Sequence, residues 1–358
     1  MDWTAIREQA RSNMTAAGWM YNEGAADIGG QADYDTLAWR RYGIATRAWH
    51  DVTHIDTSTT LGDIPISTPI IGSPTAYHRL ASPHGEITSE LGAQAAGTFI
   101  VYPTNASVAV EEFAAHVNGP WWAQVYLFRD RDVSARYLER VVKAGATALM
   151  LTTDCPGFVR DFGFRNGIDH TDEGGSGNFP TMTMGDWTLH LATDLTPDDI
   201  VWLKERFGLP VWVKGILRPE DAVATVEAGA SGIMVSNHGR RQVDGVVPVA
   251  WALPKVAAAV GRRVPILADS GIRSGGDVFR ALALGASAVG LGRGIQWAMA
   301  SAGPDHEADG VKQVIETLTD ELAHLMSAAG VSRIADIDSS FVVPEQGPAA
   351  IAGLQPRF

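Results

Sequence analysis

The chain predicts an α/β fold: a (β/α)8 TIM barrel with an N-terminal helical extension and a long loop after the fourth strand. Three observations carry this reading. Eight short apolar runs recur along the 358 residues, at 69–75, 98–102, 122–126, 148–154, 210–215, 232–236, 265–269 and 288–292. Runs this short and this continuously apolar read as strands buried on both faces of a parallel sheet. Helical patterns lie between several of them, and Gly-Ala pairs (Gly145-Ala146, Gly229-Ala230, Gly285-Ala286) stand where a helix gives way to the next strand. Eight strand-then-helix units favour a closed barrel over an open doubly wound sheet, which would carry a glycine-rich phosphate loop after its first strand.

Taken in order, residues 1–62 precede the barrel and read as helical, anchored by Trp3, Ile6, Trp19 and Tyr21. After the fifth strand, Pro219-Glu220-Asp221 opens a helix with proline and acids in its first turn, and Ala222, Val223, Val226 and Ala230 are its apolar positions. After the seventh, 274–285 presents Val278, Leu282 and Leu284. The stretch 167–199 is rich in Gly, Asp and Thr. A connection this long in a compact barrel is a lid or a plain connector, and composition leaves both readings open. Residues 308–330 read as the last barrel helix, and 331–358 as a tail packed outside it. The whole is one domain.

Composition bounds the partners. An apolar content of 46% with 38 glycines fits a compact, turn-rich enzyme. A net charge of −13 argues against nucleic acid or an anionic membrane as the main partner. Cys155 is the sole cysteine, so no disulfide framework is expected and a reducing cytoplasm is the expected location. The first ten residues are polar and unlike a signal peptide, and no run approaches the ~18 apolar residues of a membrane span.

The chemistry gathers at predicted strand ends, where barrels of this type place their active sites. Asp269-Ser270-Gly271-Ile272-Arg273 follows the seventh strand and Gly290-Leu291-Gly292-Arg293 the eighth. Glycine lets backbone N–H groups approach an anion and arginine supplies a forked donor, so these two loops read as a phosphate site. Lys214 ends the fifth strand, where an inward ammonium needs an anionic partner. The sixth strand runs into Ser236-Asn237-His238-Gly239-Arg240-Arg241-Gln242-Val243-Asp244-Gly245, placing a base and a fixed cation at one strand end.

This decapeptide resembles the signature of the FMN-dependent 2-hydroxy acid oxidases and dehydrogenases, a family that includes glycolate oxidase, lactate oxidase and mandelate dehydrogenase. The resemblance runs from about Tyr21 to Gly330. It implies that Gly271, Arg273, Gly292 and Arg293 hold the FMN phosphate, and that Lys214 lies beside the flavin N1 and O2 edge. It also implies that Pro74, Thr75, Ala76, Gln124, Thr152, Ser236 and Asp269 contact the cofactor, with Thr104 a weaker match. His238 becomes the base, Asp154 its orienting partner and Tyr126 the partner of the substrate hydroxyl; Asp154 also fits an ordinary helix cap. Arg241 would grip the substrate carboxylate, and Arg160, which aligns only across a one-residue gap, would be a second contact.

Four positions depart from the family pattern. The N-terminal aromatic that binds the carboxylate in many relatives falls at Met20, with Tyr21 beside it. Arg240 adds a cation where Gly or Ala is common, Ser270 replaces the first Gly of Asp-Gly-Gly, and the Asn105 region lacks an aromatic. The expected activity is oxidation of a 2-hydroxy acid to the 2-keto acid, with O2 reoxidising the flavin. Met20 tilts the expected substrate toward a bulky, mandelate-like acid. The alternatives are an amino acid or a specialised-pathway intermediate at the same site, a decarboxylating monooxygenase, a different FMN barrel such as the isopentenyl diphosphate isomerase, or an idle flavin scaffold. The resemblance also implies a homotetramer.

Overall fold

The computed structural model describes residues 1–26, 33–155 and 175–345. Eight parallel strands form one sheet: β1 (Ile70–Gly72), β2 (Val101–Tyr102), β3 (Trp122–Val125), β4 (Ala148–Thr152), β5 (Val211–Ile216), β6 (Gly232–Val235), β7 (Ile266–Ala268) and β8 (Ala288–Leu291). Each coincides with one of the eight apolar runs, β5 extending one residue past its run to Ile216. Neighbours pair in sequence from β2 to β8, and β8 pairs with β1. A parallel bridge between Gly72 and Ile100 closes the ring. Glycine is required there, because a β-carbon on residue 72 would overlap the Ile100 side chain.

Inward side chains of the strands make a single apolar stack: Ile71, Val101, Trp122, Met150, Trp212, Met234 and Leu267. The two indoles of Trp122 and Trp212 lie 4.6 Å apart, centroid to centroid. The stack is closed at the N-terminal end by a hairpin, Thr59–Leu61 with Ile64–Ile66, whose Leu61, Ile64 and Ile66 join it. Outward side chains pack on the helices, including Pro219–Glu227, Gly275–Ala283 and the 23-residue Glu307–Ala329. Pro at the first helical turn and the Ser274 cap on Asp277 N start the first two as the sequence suggests.

Before the barrel stand α1 (Trp3–Asn13), α2 (Ala16–Glu23) and α3 (Tyr34–Arg40). Asp2 and Thr15 cap the first two. Trp3 packs edge-on against Trp297 of the helix after β8, which fixes α1 and α2 over the C-terminal rim. The described part of 167–199 is more than a bare loop. It holds a helix, Met184–His190, started by a Thr183/Asp186 capping box and pinned by Trp187 against Phe128 and Phe179. The tail returns to pair Val342–Pro344 with Tyr42–Ile44. No helix among the described residues is long and apolar enough to cross a membrane.

Candidate active site

A cleft of about 1290 Å3, counting the space open to solvent at its mouth, lies at the carboxyl ends of the strands. Its base is an alternating row of charge. His238 Nδ1 lies 2.8 Å from Asp154 Oδ1. Asp154 Oδ2 is 3.8 Å from Lys214 Nζ, and Lys214 Nζ is 3.9 Å from Asp269 Oδ2. The sheet brings the four together, since β4, β5, β6 and β7 are successive neighbours and each carries one of these residues near or just beyond its carboxyl end. Gly215 makes the closest approach feasible: it has φ +103, and a β-carbon there would collide with the Asp154 carboxyl.

The electrostatics set the protonation states. Burial opposes the charge on Asp154, but Lys214 and the His238 contact more than offset it and hold its pKa at about 2. An ionised Asp154 places the proton of neutral His238 on Nδ1, leaving Nε2 as an acceptor on the cleft side. Burial depresses the His238 pKa below its ordinary value, reinforced by Lys214 and Arg241 and resisted by Asp154. Burial pushes Tyr126 well above the usual phenol range, with Cys155 and Asp154 adding to the effect, so its hydroxyl stays a donor.

Tyr126, Gln124, Pro74, Thr75 and Ala76 line the cleft as expected. Thr104 and Thr152 stand behind Gln124: Thr104 N donates to Gln124 Oε1 at 2.9 Å, and Gln124 Nε2 donates to Thr152 Oγ1 at 3.1 Å. Ser236 is fully buried and accepts from His238 N at 3.1 Å. Ser270 takes a left-handed φ of 67, the conformation that usually calls for glycine. Its hydroxyl donates to Asp269 Oδ1 at 2.8 Å and accepts from Gly239 N at 3.3 Å.

Met20 is corrected by the structure. Tyr21 lines the cleft and Met20 does not, because neighbours on α2 point about 100° apart. The Tyr21 ring lies 4.6 Å under the Arg241 guanidinium, whose NH1 donates to Tyr21 O at 2.6 Å and Gly24 O at 3.2 Å. Arg160 lies outside the described residues. Sequence reasoning gave no role to Cys155, Trp187, Leu191 or Gln242 and marked the Asn105 region only for lacking an aromatic; all five residues also line the cleft. Gln242 Nε2 reaches Cys155 Sγ at 3.3 Å. Cys155, Gln242 and Asn105, adjoining Asp154, Arg241 and Thr104, carried a signal that could have found them; Trp187 and Leu191 carried none.

The residues present fit FMN. Gly271, Arg273, Gly292 and Arg293 line the cleft. Burial pushes Arg293 down to about 9, with Arg241 and Arg273 repelling it, a cluster that a phosphate would relieve. Lys214 is 3% exposed, and neither carboxylate is within hydrogen-bond distance of its ammonium. Asp154 Oδ2 is likewise buried without a hydrogen-bond partner. A polar ring edge beside Lys214 would give the ammonium an acceptor.

The comparisons agree with this geometry. The family model described as FMN-dependent dehydrogenase matches residues 10–344. The chain is 38% identical over 332 residues to the peroxisomal (S)-2-hydroxyacid oxidase GLO4 of Arabidopsis thaliana, covering 88% of this chain and 90% of that one. It is 36% identical over 320 residues to the glycolate oxidase of Spinacia oleracea, covering 84% and 85%. The solved structure of a mandelate oxidase superposes with a TM-score of 0.87 at 34% identity, covering 95% and 97%. A barrel whose strand ends present these groups, matched by that family over nearly its whole length, belongs to the FMN-dependent dehydrogenases and is an FMN-dependent oxidoreductase.

Proposed function

We propose that this protein oxidises an aryl or similarly bulky 2-hydroxy acid to its 2-keto acid and passes the electrons to O2. The observation that carries the reading is the His238–Asp154 pair, 2.8 Å apart at the floor of a cleft that also presents Arg241, Lys214 and Tyr126. Arg241 receives the carboxylate, and Tyr126 hydrogen-bonds the substrate oxygen. His238 Nε2 takes a proton from the Cα–OH unit, and Asp154 stabilises the imidazolium that forms. When bound, FMN supplies the two-electron acceptor. Lys214 places a positive charge where that group gains negative charge.

Support for a bulky substrate comes from the wall formed by Trp187 and Leu191, and from the likeness to mandelate oxidase. O2 as acceptor is supported by the oxidase names of the relatives. A homotetramer in a reducing cytoplasm completes the proposal, and sedimentation and fractionation test those two points.

The deciding experiment is an anaerobic spectral titration of the FMN-loaded protein with 2-hydroxy acids from glycolate to (S)- and (R)-mandelate, repeated with 2-amino acids. Bleaching by an aryl acid that is lost in His238→Ala supports the reading. Bleaching only by glycolate or lactate overturns the substrate class, and bleaching by an amino acid alone overturns the reaction.

A further inference from the structure

The turn that carries His238 is left-handed through three successive residues. His238, Gly239 and Arg240 have φ of 57, 60 and 62. Only the middle one is glycine, so the conformation is costly for its two neighbours and persists only where surrounding contacts over-determine it. Asp154 holds one side of this turn through the His238 ring. The other side is held by a residue some two hundred positions away. Asp35 of α3 is 2% exposed and accepts from Asn237 Nδ2 with both oxygens, at 2.8 and 3.0 Å, and from Val249 N at 3.3 Å.

Arg240, itself 3% exposed, lies 3.9 Å from Asp35 and points away from the reacting groups. Its NH1 donates to Val246 O at 2.9 Å and its guanidinium stacks 5.0 Å over the Tyr34 ring. Its carbonyl accepts from Ala26 N at 2.9 Å. The cation that departs from the family pattern therefore has no place in the cleft. These partners, Asp35, Tyr34, Val246 and Ala26, lie on the elements that bracket the turn.

We propose that Asp35 and Arg240 are positioning residues, a buried ion pair that locks the left-handed turn and so fixes the His238 ring against Asp154. The pair sets register and geometry, the best-attested use of buried ion pairs, whose net contribution to stability is small. As a statement about catalysis, this rests on the reading of His238 as the base.

The test uses the FMN-loaded enzyme and the variants Arg240→Gly, Arg240→Lys and Asp35→Asn. Arg240→Gly relaxes the backbone and removes the clamp in one step; the double variant Asp35→Asn/Arg240→Gly serves if a lone buried carboxylate prevents folding. Amide exchange across 236–242 is expected to rise at least tenfold in Arg240→Gly and Asp35→Asn. Anaerobic flavin reduction is expected to slow at least tenfold, with FMN affinity within twofold of the parent and KM little changed. Arg240→Lys is expected to recover part of both losses. Unchanged exchange overturns the clamp. So does a fall in reduction rate matched by equal losses of FMN affinity and thermal stability, which marks a merely structural pair. If no 2-hydroxy acid reduces the parent flavin, the functional reading fails while the exchange measurement still decides the clamp.

Discussion

At the N-terminal end of the barrel, Leu61, Ile64 and Ile66 close over Trp122 and Trp212, and the inner layer is wholly apolar. At the C-terminal end, the same strands carry Thr152 and Lys214 and run into Asp269 and the turn bearing His238, all charged or polar and mostly buried. Backbone cost leans the same way: of the seven non-glycine residues at positive φ among those described, Tyr77, His238 and Ser270 line the cleft and Arg240 adjoins it, while Trp49, Arg262 and Asp305 lie elsewhere. Unpaired buried oxygens lie there too, on Asp154 and Asn105. One end of the barrel carries stability, and the other holds strain and unsatisfied polarity that a bound cofactor and substrate can relieve.

That contrast predicts separable effects. The largest is at the base: His238→Ala will slow flavin reduction by about 10^3-fold or more while leaving FMN bound, as stopped-flow absorbance will show. Asp154→Asn follows, with a loss of about 10^2–10^4-fold, because an amide no longer stabilises the imidazolium. Arg241→Lys removes the forked donor and will raise KM by about 10–100-fold with a smaller change in kcat. In the hairpin that closes the opposite end, Leu61→Ala will cost about 2–5 kcal/mol in thermal or denaturant unfolding and leave kcat within twofold. A large kinetic effect of Leu61→Ala, or a large stability loss in His238→Ala, would break the division between the two ends.

The pH dependence sharpens it. His238 must be neutral to accept a proton, and its folded-state pKa is depressed. Activity is therefore retained as pH falls through the ordinary histidine value of about 6.5 and is lost only below the depressed value. Asp154, held at about 2, remains ionised throughout. An acid limb in kcat/KM above the ordinary histidine value would contradict the assignment.

Much of this was legible in the chain. Strands buried on both faces leave continuous apolar runs, so all eight could be read, and the polar residues at or just past the end of each run fall at the rim by construction. Lys214, Asp269 and His238 stand at such ends. What failed to show depends on partners distant in sequence or on a single step of helix phase. Met20 and Tyr21 differ by one such step on α2, and only packing against Arg241 chooses between them. Trp187 and Leu191 sit in a stretch with no strand register, so nothing local marks them as cleft wall. Arg240 looked like an intrusion into the site because Asp35, its partner, belongs to a different part of the chain. The hairpin under the barrel escaped notice because strands of three residues give no clear alternation.

The arginines of the cleft have a consequence for how substrate arrives. Arg241 offers a carboxylate a local positive well, Arg273 and Arg293 being the phosphate's partners, inside a molecule whose net charge is −13. A carboxylate approaching from bulk first meets the repulsive field of the acidic surface and feels the well only near the mouth. Salt screens the outer field, with a Debye length of about 8 Å at physiological ionic strength, and barely touches the buried contacts. The encounter rate of an anionic substrate will therefore rise with added salt, while its grip once inside stays nearly constant.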